Sequence, residues 1–172
     1  MQRMISRRTH YETAFEAYLQ ARGVPYVAVD QAKKAVFAGA SIKSFDFLVY
    51  PAGARRLLVD VKGRRLSGRL FQKGRLGQSW TTDDDIEGLT QWEAVFGPDY
   101  VGAFVFAYWL HDADPRQPPA GSFGWEGKIY AWLLAELSAY RACMKSRSAR
   151  WQTVWVPARQ FDYIAKPLEQ CL

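Results

Sequence analysis

Two stretches of the chain carry apolar residues at the spacing of an amphipathic helix. Residues 9–22 place them three or four apart, after an N-cap candidate at Thr9 and before a stop signal at Gly23. Residues 81–97, TTDDDIEGLTQWEAVFG, open with capping residues and an acidic first turn that suits the helix dipole. Both patterns predict helices.

Alternating and continuous apolar runs predict the strands, which we place at residues 24–29, 44–50, 56–62 and 100–110. In the second strand, period two puts Phe45, Phe47 and Val49 on one face. In the third strand it puts Leu57, Val59 and Val61 on one face, and Leu58, Asp60 and Lys62 on the other. The order is therefore α-β-β-β-α-β, followed by a C-terminal extension.

The segments around these elements are less regular. Residues 63–80 have four glycines, five Arg or Lys residues and no acid, which predicts a long exposed loop. Residues 128–137, KIYAWLLAEL, fit a partner strand, with a helix as the open alternative. A short helix near residues 138–145, a strand-like WQTVWVPARQF and a weakly helical tail complete the extension.

Composition limits the class of protein. The length of 172 residues and the apolar content of 49% predict one globular domain over 1–172. The order of the predicted elements divides this domain into a core at about 9–110 and an extension at about 111–172. The net charge of +6 and the pI of 9.4 favour polyanionic partners such as nucleic acid. Two cysteines without a metal motif, no apolar signal segment and no apolar run of membrane length predict a cytoplasmic protein with free thiols and no membrane association.

Acids on adjacent strands supply the candidate chemistry. Asp46 and Asp60 offer carboxylate oxygens, the ligands that Mg²⁺ and Mn²⁺ prefer. Lys62 shares the strand face of Asp60, where it can orient a water or balance charge in a transition state. The Asp-x-Lys pattern alone is weak, because chance gives about one match in a chain of this composition.

The acid in SFDF, the pattern VDVKG and the element order together resemble the PD-(D/E)XK nuclease superfamily, although Phe45 replaces the usual proline. The resemblance implies a restriction-endonuclease-like, resolvase-like α/β fold with a mixed central sheet flanked by helices. It also implies Mg²⁺- or Mn²⁺-dependent hydrolysis of nucleic acid, with DNA favoured over RNA, and often a homodimer. A first-helix glutamate joins such sites, and Glu12 is the choice, with Glu16 in reserve.

HYETAFE at 10–16 is in addition similar to an uncharacterised bacterial family called HYExAFE. Gln91 is a weak candidate for the second-helix glutamine that sometimes assists sites of the PD-(D/E)XK superfamily. The HYExAFE likeness adds no chemistry of its own.

Other interpretations stay open for each of these residues. Asp60 and Lys62 also fit a solvated ion pair, and Glu12 also fits a helix cap. The basic residues that follow the third strand fit either a solvated surface or a phosphate-binding one: Arg64, Arg65, Arg69, Lys73 and Arg75. A second basic cluster has the same two interpretations: Arg141, Lys145, Arg147 and Arg150.

Trp151 and Trp155 fit the core or an interface better than base stacking. Three functions remain: a nuclease, a non-catalytic nucleic-acid- or protein-binding module with the same fold, and an assembly protein that uses its aromatic residues at an interface. The converging acids favour the nuclease, because a pure binder gains little from acids that repel phosphate.

Overall fold

The computed structural model describes residues 8–30, 35–37, 39–53 and 55–172. Within these ranges the helices are α1 (His10–Ala21), α2 (Gly68–Gln72), α3 (Asp83–Phe96), α4 (Leu137–Cys143) and α5 (Ala158–Ile164), and a 3₁₀ turn covers Leu168–Gln170. Both long helices match the predicted ones. Their caps form as the sequence indicates, since Thr9 Oγ1 accepts a hydrogen bond from the amide of Glu12 at 3.3 Å and Thr82 caps α3.

The strands in the described ranges are β1 (Tyr26–Ala28), β2 (Ala35–Phe37), β3 (Ala40–Ile42), β4 (Phe47–Val49), β5 (Arg56–Leu66), β6 (Thr81–Thr82), β7 (Tyr100–Leu110), β8 (Phe123–Trp125), β9 (Lys128–Glu136), β10 (Lys145–Ser148), β11 (Thr153–Trp155) and β12 (Lys166–Pro167). The central sheet has the order β1-β4-β5-β7-β9-β12, with β8 joined to β9. It is mixed, because β5 and β7 are parallel and the other neighbours are antiparallel.

Helices cover both faces of this sheet, which explains why β7 and β9 are apolar on both sides. On one face, Phe15 and Leu19 of α1 pack against Val59 and Val105. On the other, α3, α4 and α5 pack over Leu58 and the aromatic residues of β7. The polar face of β5 interrupts this second layer, and Asp60 and Lys62 lie there.

Three sequence interpretations need correction. Phe45 packs with Trp92 and Phe96 of α3, on the face opposite to Phe47, because the chain becomes regular strand only at Phe47. The exposed loop predicted over 63–80 is wrong at its start, since β5 continues to Leu66 alongside β7, and α2 follows. Trp151 and Trp155 are not core residues, because 67% and 37% of their surfaces are exposed.

The C-terminal extension becomes definite in the structure. Residues 128–136 form a strand, which settles the strand-or-helix alternative, because the segment pairs with β7. The short helix forms as α4. Of the strand-like segment at 151–161 only Thr153–Trp155 is a strand, β11, and its last residues are wrong, because Ala158 begins helix α5. Cys143 and Cys171 are free thiols. Among the helices in the described ranges, none has the length and apolar character needed to cross a membrane.

Gly63 sets how closely α1 approaches the sheet. A Cβ atom placed there would overlap the ring of Tyr11, so only glycine allows this contact. Gly63→Ala should therefore lower the free energy of unfolding by about 1–3 kcal/mol, measured by urea denaturation. Gly124→Ala is the control, because its Cβ would meet Ile129 Cδ1 at an ordinary 3.5 Å. Equal stability of the two variants would show that α1 can move away at no cost.

Candidate active site

The hairpin of β4 and β5 brings Asp46 and Asp60 to one cavity. Asp46 precedes β4, where its amide donates to the carbonyl of Val59 at 2.8 Å. Its Oδ2 accepts a hydrogen bond from the amide of Val61 at 2.6 Å, which fixes the carboxyl against β5. Asp60 lies on the same side of β5 as Lys62, as alternation predicts. The two aspartates therefore face the same space.

Both carboxyl groups are buried, each with 7% of the residue surface exposed. Burial, and then the neighbouring Asp60, raises the pKa of Asp46 to about 8. Burial also raises the pKa of Asp60 to about 6, against the lowering effect of Lys62. Two buried acids with raised pKa values in one cleft are typical of a functional site, because a purely structural site gains nothing from their repulsion.

Lys62 holds its charge between two acids. Its Nζ lies 2.9 Å from Asp60 Oδ1 and 2.8 Å from Asp85 Oδ2. Burial alone would lower the pKa of Lys62, but Asp60 and Asp85 outweigh it and raise the pKa above its ordinary value. The side chain is therefore an ammonium donor with a fixed position, and cannot act as a base near neutral pH.

Asp85 was missed in the sequence, where it counted only as part of an acidic first turn. It is the third residue of α3 and forms a capping box with Thr82, while Thr81 Oγ1 donates to its Oδ2 at 2.7 Å. Its other oxygen pairs with Lys43 Nζ. Burial would raise its pKa, but Lys62 and then Lys43 hold it well below its usual range. One sequence signal could have identified this position: Asp85 precedes Leu89 by one turn, on the apolar face of the helix.

A cavity of about 340 Å³ contains all four predicted catalytic residues and three polar ones that were not predicted: Glu12, Asp46, Asp60 and Lys62, with Lys43, Ser44 and Asp85. Glu12 also accepts from Thr9 Oγ1 at 3.0 Å, so it both caps its helix and borders the cavity. The carboxylate of Glu16 accepts hydrogen bonds from Arg8 and Tyr26 and does not line the cavity. Gln91 contacts Glu87 and does not line the cavity.

The carboxyl oxygens of this cavity fit a hard divalent cation. No group of three or more His, Cys, Asp or Glu side chains in the described ranges is arranged as a metal site. Mg²⁺ does not need one, because it keeps several waters and commonly binds through one or two carboxylates. A cation between Asp46 and Asp60 would relieve the repulsion that raises the pKa of Asp46.

Four of the five predicted nucleic-acid-binding residues are exposed: Arg65, Arg69, Lys73 and Arg75. Arg64 differs from them, because it is buried and donates to the carbonyls of Gly63, at 2.7 Å, and Trp80. Its guanidinium carbon lies 4.0 Å from the centre of the Trp80 ring. Arg64 therefore joins β5 to the segment before β6, and is not free to meet a phosphate.

Replacing Asp85 tests the charge balance around Lys62. Asp85→Asn leaves Lys43 without its partner and Lys62 with Asp60 alone, and should lower the free energy of unfolding by about 3 kcal/mol at pH 7. The control is Asp84→Asn, which removes an exposed acid from the same helical turn and should change stability by less than about 0.5 kcal/mol. Chemical denaturation measures both. Similar values for the two variants would show that Asp85 contributes only to the helix dipole.

No protein-family model and no curated protein matches the sequence, so the HYExAFE likeness has no further support. A solved structure does match: Hjc of Archaeoglobus fulgidus, a Holliday junction resolvase from an archaeal hyperthermophile. The TM-score is 0.52 at 14% identity, over 95% of this chain and 98% of that one. At this identity the likeness concerns the fold. The chain therefore has the predicted restriction-endonuclease-like, resolvase-like α/β fold.

Proposed function

We propose that the protein is a metal-dependent nuclease of the PD-(D/E)XK type that hydrolyses phosphodiester bonds of DNA. The observation that carries the proposal is the convergence of Asp46, Asp60 and Lys62 in one cavity on this fold. The fold match to a Holliday junction resolvase supports DNA as substrate, and makes branched DNA the first substrate to test.

The residues of the cavity would have two roles, metal binding and hydrogen-bond donation. Asp46 and Asp60, with Glu12 at the border, would hold Mg²⁺ or Mn²⁺, which supplies Lewis-acid stabilisation of the phosphoryl group. Lys62 would donate hydrogen bonds to the attacking water and to the phosphate oxygen that gains charge. Water adds to phosphorus and one P–O ester bond breaks, which leaves one phosphomonoester end and one hydroxyl end.

Asp85 and Lys43 would support this chemistry indirectly. Asp85 fixes the Lys62 ammonium, since its Oδ2 lies 2.8 Å from Nζ. Lys43 offsets the charge of Asp85 at the rim, where half of its side chain is exposed. The exposed cations Arg65, Arg69, Lys73 and Arg75 would bind the substrate backbone. The single-domain organisation, the cytoplasmic location and homodimer formation belong to the same proposal.

Purified protein should be incubated with single-stranded, duplex and four-way-junction DNA and with RNA, in Mg²⁺, Mn²⁺ or EDTA. The proposal expects cleavage that needs the metal and is lost in Asp60→Asn. Cleavage that persists in EDTA or in Asp60→Asn would contradict the mechanism. Binding without cleavage of any substrate would favour the non-catalytic module instead.

A further inference from the structure

A basic and aromatic surface lies outside the cavity described above, on the small sheet that two strands of the C-terminal extension form with β6. This sheet has the order β10-β11-β6. We call its outward side, with the β10–β11 turn, the C-terminal face, and it carries Lys145, Arg147, Arg150, Trp151 and Trp155.

The strand register places these residues together. Lys145 pairs with Trp155 across β10 and β11, so their side chains lie on the same side. Trp155 is exposed at the end of β11, after the buried residues Thr153 and Val154. The register of β10 shifts between Ser146 and Ser148, so Arg147 is placed by its own contact: its guanidinium carbon lies 5.1 Å from the Trp80 ring centre.

The charges of this face lack acidic partners. Within the described parts of the chain, none of Lys145, Arg147 and Arg150 forms an ion pair with a carboxylate. Arg150 instead lies over Trp151, 5.2 Å from the ring centre. Clustered cations without acids repel one another, and a polyanion would relieve this repulsion.

The tryptophans indicate which kind of polyanion fits. Trp151, in the turn between β10 and β11, is 67% exposed and Trp155, in β11, is 37% exposed, which is unusual for such large aromatic residues. Unpaired bases stack on exposed aromatic rings, whereas a duplex hides the faces of its bases. Trp155 also lines a groove of about 360 Å³ shared with Leu70, Arg75 and Asp162, so the face continues into the basic segment after β5.

A chain of contacts connects the C-terminal face to the cavity. Arg64 follows Lys62 by two positions on the same side of β5. The Trp80 ring contacts Arg64 at 4.0 Å and Arg147 at 5.1 Å. Trp80 directly precedes β6, which leads into α3 and Asp85. The C-terminal face and the cavity therefore lie on elements that contact each other through Trp80.

We infer that the C-terminal face binds a single-stranded segment of nucleic acid, with bases stacked on Trp151 and Trp155 and phosphates bound by Lys145, Arg147 and Arg150. This inference rests on the proposed nuclease function, and it specifies the substrate class as nucleic acid with an unpaired region. The face supplies affinity and placement and takes no part in breaking the bond.

The test measures binding in EDTA, so that it does not depend on cleavage. Fluorescence anisotropy would follow a labelled polythymidine strand and a duplex of equal length, at low and moderate salt. Trp151→Ala and Trp155→Ala should each weaken strand binding by about five- to a hundredfold, with little change for the duplex. Lys145→Glu with Arg147→Glu should flatten the salt dependence. Tyr163→Ala and Lys166→Glu are matched controls, because both residues are exposed on a different part of the surface.

Other results would contradict either the inference or the proposed nuclease function. Wild-type-like strand binding by both tryptophan variants, or equal losses for strand and duplex, would overturn the inference. Self-association that Trp151→Ala abolishes, seen by light scattering, would overturn it in favour of a protein interface. Strand binding without cleavage of any substrate would contradict the proposed nuclease function but not the inference about the C-terminal face. Metal-dependent cleavage together with wild-type strand binding by the tryptophan variants would contradict the inference but not the nuclease function.

Discussion

Lys62→Ala is expected to lower the rate of metal-dependent cleavage by about a hundred- to a thousandfold. Lys62 Nζ lies 2.9 Å from Asp60 Oδ1, and within the described ranges no other cation forms an ion pair with Asp60. Single-turnover cleavage with saturating protein separates this loss from weaker binding. Lys166→Ala, which removes an exposed lysine, should cleave like the wild type.

The alanine variant also leaves Asp60 and Asp85 without their shared cation, so its folding must be checked. Lys62→Arg keeps the charge but changes the geometry of the donor. It should melt close to the wild-type temperature and still cleave slowly, which separates catalysis from stability. Wild-type cleavage by a folded Lys62→Ala protein would remove Lys62 from the mechanism.

Asp46→Asn is expected to abolish cleavage and yet to stabilise the metal-free protein at pH 8. The pKa of Asp46 is raised from 3.8 to about 8 by burial and by Asp60, so the folded chain holds a proton that the unfolded chain has released. The contribution of Asp46 to folding stability is thus fully present below about pH 4 and is lost as the pH rises to about 8. Asp60, with a pKa of about 6, acts in the same direction over a narrower range.

Asparagine avoids this loss, because it stays neutral and its oxygen can still accept from the amide of Val61. The free energy of unfolding at pH 8 in EDTA should therefore rise by on the order of 1–3 kcal/mol, with a weaker pH dependence. Mg²⁺ should raise the melting temperature of the wild type and leave that of the variant unchanged. Asp99→Asn, an exposed change, should alter neither quantity. A variant less stable than the wild type at pH 8 would contradict the shifted pKa.

The sequence predicted those parts of the fold that depend on local pattern. The capped helix at His10–Ala21 and the strand pair containing Asp60 are examples, since spacing and turn residues specify both. The convergence of Asp46, Asp60 and Lys62 followed because adjacent antiparallel strands bring such residues together. Their chemical roles stay predictions.

The parts that were missed depend on contacts between distant segments. Asp85 reaches Lys62 only when α3 docks on β5, and local composition showed just an acidic helix start. The continuation of β5 past Gly63 depends on β7 and on the ring of Tyr11. Arg64 is buried because Trp80, sixteen positions later, covers it and accepts its hydrogen bond. The positive charge of Arg64 in the sequence does not indicate that its side chain is buried.

The parallel pairing of β5 with β7 also bears on how the protein folds. Arg56 pairs with Tyr100 and Leu66 with Leu110, so each contact closes a loop across the whole of α2, β6 and α3. Such long-range closure is slow compared with the β4–β5 hairpin, in which Phe47 meets Val59. The folding rate should therefore be limited by this central pair. Lys62 would then reach its position between Asp60 and Asp85 in the same cooperative step that completes the sheet.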